Sequence, residues 1–253
     1  MPNMQSPQTK PRRNRAPLQP IYTGKPFERV AMDIVGSLPR TSRGNQYILT
    51  VVDYFTKHAK AYPLTDQEAP TVARAFLNEF VSRYGVPYVI HIDQGTNFES
   101  NLFKEICKLL KIEKTPTSPY HPQCDGQVER MNRTLVELLS INVPNPTDNW
   151  DLDLGLTLLA HRSAVQSSTG FTLYYLLYCK EMRLPLDMIY RPPSQDFSRT
   201  QYAQEIRLFW NVLTTLQGAN FNFLMNVKKT YDRRTRGEHF KPGDSVWLWS
   251  PAV

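Results

Sequence analysis

Apolar and polar positions alternate in the first half of the chain and then take up helical spacing. Residues 28–36 (ERVAMDIVG) and 46–55 (QYILTVVDYF) are β-rich apolar runs, and 57–64 (KHAKAYPL) alternates enough for a third. Short, turn-rich connections predict three antiparallel strands. Over 69–85, Val72, Phe76, Phe80 and Val81 fall on one helical face, and Gly85 supplies a stop. Residues 86–93 (VPYVIHID) form a short apolar strand; after a crossover helix such a strand pairs parallel and is buried. Residues 101–112 read as helix. Residues 113–124 carry Pro116, Pro119 and Pro122 and read as loop. Over 125–141, Val128, Met131, Leu135 and Leu138 make one apolar stripe, and 150–165 predict a further helix. From Gln195 to Arg236 there is no proline and a single glycine, Gly218, which predicts one or two long helices. The order of three strands, helix, strand, helix, strand and helices predicts an α/β fold, a mixed sheet with helices on its faces.

Composition narrows the class. At 253 residues and 41% apolar, the chain can build one large domain or two modest ones around a real core. No run approaches the roughly 18 apolar residues of a membrane span, so no membrane partner is expected. The opening MPNMQSPQTKPRRNR lacks the apolar stretch of a signal peptide. Cys107, Cys124 and Cys179 stand far apart without a Cys-x-x-Cys pair. That excludes a disulfide framework and a zinc finger, and an intracellular protein is expected.

The net charge of +7 sits at the two ends. Residues 1–27 carry Lys10, Arg12, Arg13, Arg15 and Lys25 with no acid, and 228–241 carry six Lys/Arg against Asp232 and Glu238. The stretch 28–227 is close to neutral. Basic ends around a neutral body suit a polyanion, and they equally suit solvated tails or a localisation signal. The expected organisation is a proline-rich basic arm over 1–27, a body over 28–194 and a helical extension over 195–236. At 237–253, FKPGDSVWLWSPAV opens a β-type pattern that a single strand cannot complete as a domain.

Three carboxylates change the picture. Asp33 falls in the first strand, Asp93 closes the buried strand before a glycine-marked turn, and Glu129 lies in the first turn of the 125–141 helix, one position off its apolar stripe. Ligand sites of such sheets lie at strand ends. Three converging carboxylates repel unless a cation neutralises them, and hard oxygens suit magnesium or manganese. Two such ions about 3.5–4 Å apart serve phosphoryl transfer. Arg130 and Arg133, beside Glu129, would then face a phosphate. Each carboxylate also has a plain structural reading as a turn former or helix-dipole partner, and Asp53, Asp66 and Asp125 look no worse singly. His58, His91 and His121 read as packing or loop residues, and Lys57 and Lys114 as possible phosphate contacts or ordinary exposed lysines.

The words APLQPI, PFERVAMDIVGSLP, YILTVVDYFTK, DQGTNFES, TPTSPYHPQCDGQVERMNRTL, NWD, STGFT and RLPLD resemble the integrase of Gypsy-type long-terminal-repeat retrotransposons, and retroviral integrases more distantly. They span residues 17–190, with 35 residues between Asp93 and Glu129 as in that family. The resemblance implies a ribonuclease-H-like fold with a five-stranded mixed sheet. It implies a polynucleotidyl transferase that trims the 3′ ends of element DNA and joins them to target DNA. Asp33, Asp93 and Glu129 would be both catalytic residues and ligands of two divalent ions, Mg2+ or Mn2+. The resemblance also implies DNA or active-site-loop roles for Asn97, Tyr120, Gln123, Asn132 and Arg133. DNA, further copies of the chain and a nuclear site of action follow from it. The family's zinc-binding module before APLQPI is replaced here by a stretch without cysteine or histidine, and only the opening of its C-terminal barrel is present. Leu173 stands where the family usually has proline, and Cys179 where it usually has glycine. Two other readings share these features: a catalytically idle or host-adopted nucleic-acid-binding remnant, and a ribonuclease-H-type nuclease.

Overall fold

Five strands pair into one mixed sheet, order β3-β2-β1-β4-β5, in the computed structural model of the chain. The structure describes residues 24–93, 95, 97–116, 126–143, 149–166, 169–188, 200–201, 204, 206–209 and 211. All belong to one compact unit, Tyr22–Thr214. Strands β1 (Arg29–Val35), β2 (Tyr47–Asp53) and β3 (Ala59–Leu64) form an antiparallel meander. Strand β4 (Val89–Ile92) then adds parallel to β1, and β5 (Glu113–Pro116) adds parallel to β4. The helices are α1 (Ala69–Ala75), α2 (Ser82–Tyr84), α3 (Asn101–Leu109), α4 (Gly126–Asn142), α5 (Trp150–Ser163) and α6 (Leu173–Tyr178), with a π-helical stretch, Phe76–Val81, joining α1 to α2. Among the described residues no helix is long and apolar enough to cross a membrane.

The period of two in β1 sorts its side chains between two cores. Val30 and Met32 join Phe76, Phe80, Phe103 and Ile90 beneath α1 and α3. Ala31 and Val35 face the other way, into a cluster with Val128, Met131 and Leu135 of α4 and Trp150, Leu154 and Leu158 of α5. Asp33 shares that second face, so the alternation of one strand aims it at α4. One edge strand of the sheet is β3. It carries Pro63, which offers no N–H to a further strand, and Arg162 donates from Nε and Nη2 to the Ala59 carbonyl at 3.1 and 2.9 Å.

Several expectations are corrected. The segment read as loop from residue 113 opens with strand β5, because pairing beside the buried β4 outweighs a single terminal proline. Leu139 joins the buried stripe of α4, and Leu138 is half-buried. Phe27, read as the end of the basic arm, packs edge-on against Phe80 at 5.7 Å, and its N–H donates to Asp53 Oδ1 at 2.9 Å. Of the helical extension, the described residues between 200 and 211 are helical, and Phe209 packs on Tyr175 at 5.0 Å. The rest of the extension, residues 1–23 and 237–253 lie outside the described residues.

The two family departures fall where backbone chemistry explains them. Leu173 is the first residue of α6, after the N-cap Thr172, a position that suits proline. Cys179 caps the other end at φ 57°, in the left-handed region that favours glycine. Cys179→Gly relieves that strain at some cost in unfolded-chain entropy. We expect a net stabilisation of about 0.5–1 kcal/mol, read by chemical denaturation.

Candidate active site

Asp33, Asp93 and Glu129 line one open cavity, together with Ala31, Met32, His91 and Val128. Each comes from a different element. Asp33 sits mid-way along β1, Asp93 just past the end of β4, and Glu129 in the first turn of α4. The buried Val128 and Met131 press that turn against the sheet, which holds the exposed Glu129 at the cavity rim.

Hydrogen bonds fix the carboxylates. Asp33 Oδ1 accepts from the Ile34 N–H at 2.7 Å, and Oδ2 accepts from Asn132 Nδ2 at 2.6 Å. Asn132 follows Glu129 by three residues, so both lie on one face of α4. Its own Oδ1 is buried without a hydrogen-bond partner. Asp93 Oδ1 accepts from the Gly95 N–H at 3.1 Å. The turn beyond is tied down by Lys114 of β5. Its Nζ donates to the Phe98 carbonyl at 2.9 Å and pairs with Glu99, which also meets Lys104 at 3.1 Å. Lys114 is therefore a clamp on this turn and not an exposed phosphate contact.

Gly95 leaves room for the carboxylate. A Cβ there would lie 2.9 Å from Asp93 Oδ1 and 3.3 Å from Oδ2. We expect Gly95→Ala to swing Asp93 aside and lower the catalytic rate by about 10–100-fold. Because a side-chain end moves, the melting temperature should stay within about 2 °C. A nicking assay and a thermal melt of the same preparation check both.

His91 forms one wall, its Nδ1 3.1 Å from Thr115 Oγ1. Burial, and then the charge of Arg29, hold it below the usual imidazole range. It adds no charge to the wall at neutral pH. Lys57 lies half-buried in the β2–β3 turn at φ 63°. Burial pulls it down to about 8, Asp53 opposes that shift, and Arg130 adds to it. Lys57 thus borders the start of α4. Arg130 and Arg133 are exposed there. Asn97 lies in the turn after Asp93, while Tyr120, Gln123, His121 and Asp125 lie outside the described residues.

The competing aspartates have structural duties elsewhere. Asp53 is buried and accepts from the N–H groups of Phe27 and Thr56 and from Thr56 Oγ1, at 2.6–2.9 Å. Asp66 accepts from the Glu68 N–H at the start of α1. Asn132 as a partner of Asp33, Lys114 as a clamp and His91 as a cavity wall escaped the sequence reading. For Asn132 the sequence offered two signals, its spacing of three from Glu129 and the DNA or active-site-loop role that the resemblance implies.

The donor set fits a hard divalent cation: among the described residues the cavity is lined by three carboxylates and the His91 imidazole, with no thiol. Among the described residues no three His, Cys, Asp or Glu side chains are yet close enough to hold an ion together.

Residues 24–122 match the pattern of the integrase core domain; the match includes Asp33 and Asp93 and ends before Glu129. Over 236 residues, 92% of this chain, it is 30% identical to the transposon Tf2-3 polyprotein of Schizosaccharomyces pombe. Over 159 residues, 63% of the chain, it is 30% identical to the retrovirus-related Pol polyprotein from transposon 412 of Drosophila melanogaster. The chain spans 17% and 13% of the length of those relatives. In fold it is similar to the HTLV-2 integrase catalytic core domain in complex with magnesium, in a trimeric form. The TM-score is 0.51 at 21% identity, covering 60% of this chain and 97% of that one. It is also similar to a chain of the simian T-cell lymphotropic virus intasome in complex with PP2A regulatory subunit B56 gamma. There the TM-score is 0.58 at 23% identity, covering 75% of this chain and 65% of that one.

Proposed function

We propose that this chain, which carries an integrase core domain of the kind found in retrotransposon polyproteins, catalyses divalent-metal-dependent polynucleotidyl transfer on DNA at the cavity of Asp33, Asp93 and Glu129. The observation that carries this reading is that three carboxylates from three separate elements line one open cavity. Asp33, Asp93 and Glu129 would hold two magnesium or manganese ions, which activate an attacking oxygen and stabilise a leaving oxygen.

The chain's own residues prepare that site. The Ile34 and Gly95 N–H groups and the Asn132 amide fix the Asp33 and Asp93 carboxylates through charge-assisted hydrogen bonds. Asn132 is thus a positioning residue in this reading. The neutral His91 closes one wall without adding charge. Arg130 and Arg133, exposed beside Glu129, hold the phosphodiester, with Lys57 extending the basic border. Asn97, Tyr120 and Gln123 add DNA contacts on the strength of the resemblance. The substrates are element ends and target DNA. Trimming uses water, and joining uses the freed 3′ hydroxyl, within a homo-oligomer acting in the nucleus.

The test is a manganese-dependent assay of the purified chain on an end-mimicking duplex, a branched strand-transfer product and an RNA–DNA hybrid. Nicking, joining or reversal on either DNA substrate is the expected result. Cleavage confined to the hybrid moves the reading to a ribonuclease, and no metal-dependent product on any substrate overturns it.

A further inference from the structure

The β3 edge of the sheet gathers basic groups, and among the described residues no unengaged acid faces them. Lys60 of β3 is 5% exposed, and its Nζ lies 4.2 Å from the centre of the Tyr84 ring. Arg162 of α5 wraps over the same edge and spends two N–H groups on a neutral acceptor, the carbonyl of Ala59, the residue before Lys60. Tyr62, Tyr84 and Tyr178 lie within electrostatic range of that guanidinium. His58, 1% exposed, stands edge-on to Tyr178 at 6.0 Å, and both of its ring nitrogens lack a hydrogen-bond partner. His161 and Arg83 add to the basic side. The nearby acid, Glu79, is engaged with Arg83 at 2.6 Å.

The electrostatics agree with the geometry. Burial, then Arg162 and Arg83, pull Lys60 down to about 7, and no carboxylate opposes the shift. Burial, then Lys60, Arg162 and His161, pull His58 down to about 2. Desolvated cations are costly unless an anion faces them. The protein has gathered donor groups here: the Lys60 amine, the remaining guanidinium N–H groups of Arg162, the His58 imidazole and the phenols of Tyr84 and Tyr178; the Tyr62 hydroxyl already donates to the Glu79 carbonyl at 3.2 Å. Lys60 follows the parity of Tyr62 and Leu64, on the sheet face opposite Asp33. The cluster is therefore separate from the carboxylate cavity.

We propose that the β3 edge, where Lys60 and Arg162 converge beside Tyr84 and His58, is a binding seat for a tetrahedral oxyanion of the phosphate type. The anion supplies the negative charge that the described residues lack, and the guanidinium supplies planar, directional donors to it. Free phosphate and a nucleic-acid phosphodiester share this chemistry.

The experiment is a titration of the full chain with inorganic phosphate at pH 7 and constant ionic strength, followed by calorimetry and by melting temperature. The expected result is saturable binding in the millimolar range with a rise in melting temperature. Lys60→Met should weaken it at least tenfold. Arg162→Lys, which keeps a charge and an edge donor, tests the guanidinium should Arg162→Met fail to fold; it should weaken binding several-fold. A 12-base-pair duplex is then added. Competition with phosphate supports the proposal with nucleic acid as the source, and its absence supports a free anion. Equal binding by wild type and Lys60→Met overturns the proposal. So does an absent phosphate response by the wild-type chain; a Lys60→Met change in oligomeric state would then assign the edge to a carboxylate of a second copy.

Discussion

Asp93→Asn removes nicking and strand transfer, on the order of 10³-fold or more, while DNA binding stays within about twofold. Amide and carboxylate are nearly the same size, so the hydrogen bond from the Gly95 N–H survives and the turn keeps its shape. What disappears is one negative charge at the cavity that Asp33 and Glu129 share. Loss of a ligand to a catalytic cation costs several kcal/mol of transition-state stabilisation, and about 4 kcal/mol is three orders of magnitude in rate. In the proposed reading the phosphate contacts lie elsewhere, on exposed cations. Without metal, removing a negative charge does not weaken the attraction to DNA. Single-turnover nicking in manganese, beside filter binding, measures both halves. Near-wild-type catalysis in the variant would remove Asp93 from the metal-ligand role. Parallel loss of catalysis and binding would mean that the substitution disturbs the fold.

A chain cut to residues 22–227 binds duplex DNA on the order of 10³-fold more weakly at low salt than the full chain, with a much shallower salt slope. The cut removes Lys10, Arg12, Arg13 and Arg15 at one end, and Lys228, Lys229, Arg233, Arg234, Arg236 and Lys241 at the other. What remains is near neutral. Each phosphate neutralised contributes about −0.9 to the slope of log affinity against log salt, so losing even four contacts shifts it by more than three. These contacts read phosphate and not base edges, so the loss is the same on any sequence. The boundary at 22 matters, because Phe27 packs against Phe80 and donates to Asp53; a cut at 28 would damage the core and confuse binding with unfolding. Equal affinity and slope for the two chains would put the DNA-binding surface on the body itself.

Much of the architecture follows from local pattern. The alternation in 28–36 and 46–55 and the spacing of Val72, Phe76 and Phe80 specify strands and a helix, because each pattern buries one face only in one conformation. Those segments became β1, β2 and the α1–π–α2 run, with Phe76 and Phe80 fully buried. Asp33, Asp93 and Glu129 were also legible, from their places within a strand, past a strand end and in a helix's first turn, and from the words around them.

Other features depend on contacts between distant segments. Strand β5 has weak strand character of its own and exists through pairing with β4. Local sequence could not rank Asp33 above Asp53. The tertiary structure does, since the N–H groups of Phe27 and Thr56 consume one carboxylate while strand parity turns the other toward α4. The grip of Asn132 on Asp33 spans 99 positions, and the approach of Arg162 to the carbonyl before Lys60 spans 103. By itself the sequence determined most of the strands and helices and which carboxylates lie on or beside them, because those properties are set by a residue and its near neighbours. Only the tertiary structure decided which polar groups meet, because hydrogen bonding and desolvation depend on what the folded chain brings within a few ångströms.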